Sequence, residues 1–215
     1  MGKRFRYPPP IVMEFLRYLT FFISKLLWRI EFHGVENIPQ DSTKGIIVAA
    51  NHQTYLDPFW ICIPIKRKYR FMAWDKAFDW FLIGKLIRYL GAFPINVERA
   101  TKESFREALE ALHDGAVLVI FPEGTRELSD GKLLPFKPGV IRIAMKTGAS
   151  ILPVTIKGAN RVWAKDHKLP RPWGKIRIFY HPIFEIPSAN KNENPEELAV
   201  KLQQIIKQTL NSQEN

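Results

Sequence analysis

Four short apolar runs punctuate the chain: "GIIVAA" (45–50), "AVLVIF" (116–121), "ILPVTI" (151–156) and "KIRIFY" (175–180). In the first two, polar and apolar residues do not alternate. Such runs suit strands covered on both faces, as in a parallel sheet. Between and after the runs the apolar spacing becomes helical. Phe105, Ala108, Leu109 and Leu112 recur at helical intervals, and Gly115 supplies a C-terminal stop. Val140, Ile143, Ala144 and Thr147 repeat the pattern ahead of Gly148. A last helix is predicted with Asn194 as cap, Pro195 in its first turn, and Leu198, Leu202, Ile205, Ile206 and Leu210 as its apolar stripe. Strands interleaved with helices predict an α/β domain with a largely parallel central sheet flanked by helices.

Segment 11–30, "IVMEFLRYLTFFISKLLWRI", follows another rule. At about 100° per residue, Glu14, Arg17, Lys25 and Arg29 fall within one arc of roughly 120°. Phe15, Leu16, Leu19, Phe22, Ile23, Leu26, Leu27 and Ile30 fill the opposite side, while Tyr18, Phe21 and Trp28 sit among the charges. Arg17, Lys25 and Arg29 interrupt the unbroken apolar centre a secretory signal needs, and no small-residue cleavage site follows. The same three cations disfavour a simple membrane span, which takes about 20 mostly apolar residues. A wide apolar face flanked by cations and aromatics suits a helix lying in the bilayer interface. An amphipathic helix packed on its own domain has the same signature.

Composition sharpens the picture only in its charge. The 215 residues suffice for one domain, and 46% apolar with 25% charged residues is ordinary for a globular protein. The net charge of +11 favours an anionic partner: nucleic acid, an anionic membrane surface or an acidic carrier. Cations cluster at Lys66, Arg67, Lys68 and Arg70, and again from Lys157 to Arg177. Cys62 is the only cysteine, so an internal disulfide is impossible; its place in "FWICIPI" marks it as a small buried hydrophobe. His33, His113, His167 and His181 lack ligand spacing, and no metal site is expected. A nucleic-acid reader would need aromatics interleaved with arginine on a sheet face or a recognition helix, and "KIRIFYHP" is a faint candidate; no nucleic-acid partner is expected.

Two stretches carry chemistry, and each follows a predicted strand, where open α/β sheets collect their sites. In "NHQTYLD" (51–57), His52 and Asp57 lie about 140° apart on a regular helix, so their pairing needs a turn. Asp57 precedes Pro58, which fits an ordinary N-cap. It equally fits a carboxylate that fixes the imidazole tautomer and stabilises the protonated ring, the free nitrogen acting as general base. Thr54 is nearby but nothing marks it as a nucleophile, so the base is expected to deprotonate a substrate hydroxyl. In "FPEGTR" (121–126), Gly124 lets the backbone approach a ligand, Arg126 can grip a phosphate through two hydrogen bonds, and Glu123 can accept from a substrate hydroxyl or hold the arginine. A surface turn with a local ion pair would read the same. The stretch "FDWFLIGKLIRYL" (78–90) reads as packed core, with an acyl groove as the alternative.

Together these stretches make the chain resemble the glycerolipid acyltransferases, and within them the bacterial 1-acyl-glycerol-3-phosphate acyltransferases. Asn51, His52 and Asp57 match the N-H-x-x-x-x-D motif, and residues 121–126 match F-P-E-G-T-R letter for letter. "ILPVTI" with Pro153 is similar to the family's proline-centred motif; order and spacing hold from about residue 31 to 160. "GAFPINVER" departs from the remaining motif, because Arg99 comes about two residues late.

The resemblance implies a glycerol-3-phosphate acyltransferase-like fold, with residues 1–31 as a membrane-associating segment and 32–215 as the acyltransferase domain. It implies that His52, oriented by Asp57, deprotonates the free hydroxyl of 1-acyl-glycerol 3-phosphate (lysophosphatidic acid). The oxygen then attacks the thioester of acyl-CoA or acyl carrier protein, giving phosphatidic acid for phospholipid biosynthesis. Glu123, Gly124, Thr125 and Arg126, with Arg99, are the implied substrate-binding residues. No cofactor is implied, and the place of work is the cytoplasmic face of the cell membrane. Another acceptor (a lyso-aminolipid, glycerol 3-phosphate or a lysophospholipid) is the alternative.

Overall fold

The computed structural model describes residues 5–96, 101–126, 131–186 and 193–212. Its centre is one sheet of seven strands. In chain order these are β1 (Glu31–His33), β2 (Ile46–Ala50), β3 (Tyr69–Trp74), β4 (Ala92–Ile95), β5 (Val117–Ile120), β6 (Ile151–Lys157) and β7 (Arg177–Tyr180). Across the sheet the order is β1-β7-β6-β2-β5-β3-β4. The block from β6 to β4 is parallel throughout, while β7 runs antiparallel to β6 and carries β1 parallel to itself. The expected parallel sheet is therefore present, with two reversed strands at one edge.

Both faces of the centre are covered. Ile47 and Ala49 of β2 join Leu118 and Ile120 of β5 in one core, roofed by α4 (Lys102–His113), α5 (Gly139–Thr147) and α7 (Pro195–Asn211). Val48 and Ala50 join Val117 and Val119 in the other, under α1 (Pro10–Trp28), α2 (Asp57–Cys62) and α6 (Ala159–Val162). Successive side chains point to opposite faces and both faces are dry, so polar alternation has no place in β2 or β5. Gly45 stands ahead of β2 because a Cβ there would meet the Leu112 carbonyl at 2.3 Å.

Thr101 caps α4 by accepting from the Ser104 N–H, and Asn194 caps α7 by accepting from the Glu196 N–H. α5 ends on Gly148 at φ 68°. Cys62 is buried in α2 and burial pushes its thiol up, as suits a packing residue.

Two helical regions depart from a simple reading of amphipathicity. α1 touches the domain with its more polar side: Ser24 and Trp28 are buried, and Ser24 Oγ accepts from Trp60 Nε1 at 2.8 Å. The Trp28 indole donates to the Arg171 carbonyl at 2.9 Å and meets the Trp60 ring edge-on at 5.4 Å. Ile11, Phe15, Phe22 and Leu26 point away from the domain, at 77%, 63%, 66% and 71% exposure. A helix whose apolar face were held by its own domain would be turned the other way.

The second departure corrects the core expectation for 78–90. A 3-10 turn (Asp75–Asp79) and α3 (Ile83–Tyr89) bury parts of Phe78 and Ile87 but leave Phe81 and Leu82 at 79% and 72% exposure, with Trp80, Ile83, Leu86 and Tyr89 also exposed. α3 has seven residues and one covered side, so its remaining apolar residues have no domain surface to meet. Among the described residues no helix is long and apolar enough to cross a membrane.

Candidate active site

β2 and β5 are neighbours, with Ala49 opposite Ile120, so the loops that leave their carboxyl ends emerge side by side. The first loop begins with an anchor. Asn51 is buried; its side chain accepts from Ile156 N at 2.7 Å and donates to Ile156 O at 2.9 Å, which ties the end of β2 to β6. Gln53 does the same one turn on, its Oε1 accepting from Ala159 N and Asn160 N. Between these two fixed points sits His52.

A turn over residues 54–56 then brings Asp57 back to His52. His52 Nδ1 lies 2.9 Å from Asp57 Oδ2. The same oxygen accepts from Gln53 N at 2.6 Å and Thr54 N at 2.8 Å, and Oδ1 accepts from Thr54 Oγ1 at 2.7 Å. Asp57 is the first residue of α2 but makes no side-chain cap; its carboxylate faces back into the loop. Of the two readings open in the sequence, the geometry takes the pairing. Thr54 is occupied as a strut, accepting from Leu56 N while donating to Asp57, and it is fully buried, so it does not face a substrate as a nucleophile.

The carboxylate is 0% exposed and the imidazole 18%, so the acid is sealed and one ring edge reaches solvent. The acid oxygens can only accept, so Nδ1 carries the proton and Nε2 carries the lone pair. The Phe121 ring, from the β5 loop, stacks on the imidazole at 4.0 Å and 19°. A stacked ring fixes the imidazole plane and keeps water off one face.

The second loop turns at Gly124, whose φ of 74° favours glycine. Glu123 is buried, and its oxygens accept from His52 N at 2.7 Å and Leu134 N at 2.7 Å. The sequence offered a substrate hydroxyl or the arginine as its partner. These two backbone contacts clamp the loops together beneath the histidine.

Arg126 lies over Tyr55, with Cζ 3.7 Å from the ring centroid, and its Nη1 is shielded from solvent without a hydrogen-bond partner among the described residues. A buried guanidinium N–H with no acceptor is costly, so an anionic oxygen placed there would be strongly held. Thr125 is exposed at the loop tip, where Lys165 Nζ approaches its hydroxyl at 3.4 Å and the Arg126 carbonyl at 3.2 Å. Arg99 lies outside the described residues.

Sequence reasoning missed the aromatic support of Arg126. Tyr55 meets Trp80 at 6.1 Å and Trp163 at 5.5 Å, both edge-on, so three segments far apart in the chain hold one ring under the guanidinium. Tyr55 lies inside the N-H-x-x-x-x-D motif at a position the motif leaves open, and Trp163 falls in a loop without a pattern. Only Lys165, in the basic stretch from 157 to 177, had a signal to follow.

A buried carboxylate, a tautomer-fixed imidazole with one open nitrogen, and a guanidinium stacked on the same loop's Tyr55 give the site a base for a hydroxyl proton and a cation for an anionic group. The family profile described as Acyltransferase matches residues 29–157, more than half the chain, and the protein belongs to that family. It is 30% identical over 189 residues to a chloroplastic 1-acyl-sn-glycerol-3-phosphate acyltransferase of Brassica napus, covering 81% of this chain and 54% of that protein. The enzyme of that name from Borreliella burgdorferi is 27% identical, with 81% and 69% coverage. The crystal structure of the 1-acyl-sn-glycerophosphate (LPA) acyltransferase PlsC from Thermotoga maritima superposes with a TM-score of 0.73 at 31% identity, covering 94% of this chain and 78% of that one. The chain spans about half the length of the Brassica relative and of an Arabidopsis thaliana one.

Proposed function

We propose that this protein is a 1-acylglycerol-3-phosphate O-acyltransferase, moving a fatty acyl group from acyl-CoA or acyl carrier protein onto the free hydroxyl of lysophosphatidic acid to give phosphatidic acid. The observation that carries the reading is the His52–Asp57 pair at 2.9 Å in the loop that also stacks Arg126, whose Nη1 has no hydrogen-bond partner among the described residues. The names of the bacterial and plastid relatives support the acceptor.

Asp57 holds the Nδ1 proton, so Nε2 takes the proton of the acceptor hydroxyl as its oxygen attacks the thioester carbonyl. The imidazolium so formed is stabilised by the buried carboxylate. Collapse of the tetrahedral centre breaks the carbon–sulfur bond, and the departing thiolate takes the proton back from Nε2. The guanidinium of Arg126 binds the acceptor's phosphate and thereby sets the hydroxyl against the imidazole; we assign Gly124 and Thr125 to the same anion site, with Arg99 as a further phosphate contact.

The outward apolar residues of α1 support a place on the cytoplasmic membrane surface, peripheral or monotopic, with the net charge of +11 favouring anionic lipid. Replacing Phe22 and Leu26 by aspartate is expected to release the protein from phosphatidylglycerol vesicles in sedimentation without unfolding it. Retention of vesicle binding would reject this face. The activity itself is tested with labelled acyl-CoA and acyl carrier protein and a panel of lyso-lipids. Phosphatidic acid should be the dominant product, and acylation of a different acceptor in its place would overturn the assignment.

A further inference from the structure

Between 157 and 177 the chain carries seven lysines and arginines and one acid, Asp166. The catalytic loop does not use most of them. Lys157, Arg161, Lys175 and Arg177 converge with Trp173 and Gly174 around a cleft of about 320 Å³. Among the described residues Glu31 answers this group, 2.9 Å from Lys175 Nζ and 3.5 Å from Arg177 Nε. Lys157 Nζ donates to a carbonyl, that of Ser212, at 2.6 Å, which leaves its charge uncompensated. The Arg161 side chain is exposed and has no polar partner among the described residues. Lys157 and Arg161 beside the Lys175–Glu31–Arg177 group make a site for more than one negative charge.

Trp173 gives the cleft a second property. Its residue is 71% exposed and its backbone is left-handed, at φ 67°. A bulky residue in that conformation is uncommon and costs free energy, and here no burial of the indole offsets it. An open aromatic face among cations is the arrangement that stacks a nucleobase while lysine and arginine hold its phosphates. Gly158, at φ 87°, lets the β6–α6 turn approach the opposite wall, since a Cβ there would meet the Lys175 carbonyl at 2.3 Å.

The cleft is also in register with the chemistry. β2 and β6 are parallel with Ala50 opposite Val154, so Lys157 stands about one residue beyond the level of His52 on the adjacent strand, and Arg177 pairs with Lys157 one strand further out. At roughly 4.8 Å per strand the cleft opens about 10 Å from the catalytic loop. Arg161 also lines a second hollow, with Asn160, Asp166, His167 and Arg171, and the Asn160 N–H is bonded to Gln53 of the catalytic loop, so a polar surface runs from cleft to site.

We propose that this cleft binds the phosphorylated adenosine end of a coenzyme A thioester, Trp173 stacking on the purine and Arg161 with Lys157 holding its phosphates. This rests on the acyl-transfer reading and names the donor for it. The pantetheine arm then runs past Asn160 and Gln53 and presents the thioester to His52.

The test compares two donors with the same acyl chain on the full-length protein in neutral detergent: acyl-CoA, and acyl-pantetheine, which lacks the nucleotide. Arg161→Glu and Trp173→Ala alter exposed side chains, and circular dichroism checks their folding. Each should raise KM for acyl-CoA about tenfold or more at unchanged kcat, the loss of one charge-assisted or stacking contact. Rates from acyl-pantetheine and KM for lysophosphatidic acid should stay put. Adenosine 3′,5′-bisphosphate, titrated calorimetrically, should bind the wild type and bind both variants more weakly. Unchanged KM for acyl-CoA would overturn the proposal, as would equal losses with both donors. So would a defect confined to acyl carrier protein, or one confined to vesicles of anionic lipid. Calorimetry needs no turnover: a wild type that binds the bisphosphate through these residues yet transfers no acyl group keeps the cleft and sinks the acyltransferase reading instead.

Discussion

The loops that follow β2 and β5 leave neighbouring strands, and each buries a carboxylate within one loop length of its strand end. Asp57 collects three N–H groups, counting the ring, and a hydroxyl, and one of these donors is the imidazole. Glu123 collects two backbone N–H groups, one of them that of His52. The first acid therefore sets the state of the ring and the second sets its position. Burial, charge and residue class are alike; the difference lies in what the five-residue return from Asp57 brings within reach. A buried carboxylate beside a histidine is thus not by itself a catalytic partner, and its hydrogen bonds decide which job it does.

Substitutions separate the two jobs. His52→Ala removes the base and is expected to lower kcat by about 10³-fold or more while the protein stays folded. Near-normal turnover of a purified, folded variant would reject the assignment. Asp57→Asn should lower kcat by about 10²–10⁴-fold, because an amide oxygen no longer balances the imidazolium. Glu123→Gln should instead lose about 1–3 kcal/mol of stability, read by denaturant unfolding, with a far smaller drop in kcat. If Glu123→Gln were the more damaging to kcat, the division of roles would be wrong.

Arg126→Ala probes the anion side of the same frame. KM for lysophosphatidic acid should rise about 10- to 100-fold, equivalent to one lost charge-assisted contact, with a smaller change in kcat. An unchanged KM would place the phosphate elsewhere.

The smallest expected effect lies at the edge of the frame, where His181 Nε2 meets Thr155 Oγ1 at 2.7 Å. Burial lowers the His181 pKa from its ordinary 6.5. On acidification the unfolded chain takes up this proton before the native one, so stability is level above pH 6.5 and declines below it. His181→Asn should flatten that part of the melting-temperature profile between about pH 5 and 7. An identical slope in both proteins would remove His181 from the acid response.

Much of this was legible in the letters. β2 and β5 are uninterrupted apolar runs, and β6 nearly so with Thr155 inside it, because the sheet centre is dry on both faces, and such runs are hard to mistake. α4, α5 and α7 carried stripes and caps. β1, β3 and β4 escaped notice. The first has three residues, the second contains Arg70 and the edge strand β4 contains Pro94, so none shows a clean period. The exposed segment 78–90 misled because apolar residues at helical spacing look the same facing a core as facing outward.

The site divides along the same line. His52, Asp57 and Arg126 are each marked by residue type and by their places after apolar runs, which follow from local chain chemistry. The sequence by itself thus determined the strand centre, the reacting groups and the excess of positive charge. Tertiary structure decided the rest: that Glu123 clamps a loop, that Tyr55, Trp80 and Trp163 gather beneath a guanidinium, that α1 shows its apolar face to the outside, and that cations from β6, α6 and β7 close around Trp173. The reason is range: local pattern records the burial each strand and helix needs, whereas these contacts join residues tens of positions apart and depend on how the finished sheet orders its strands.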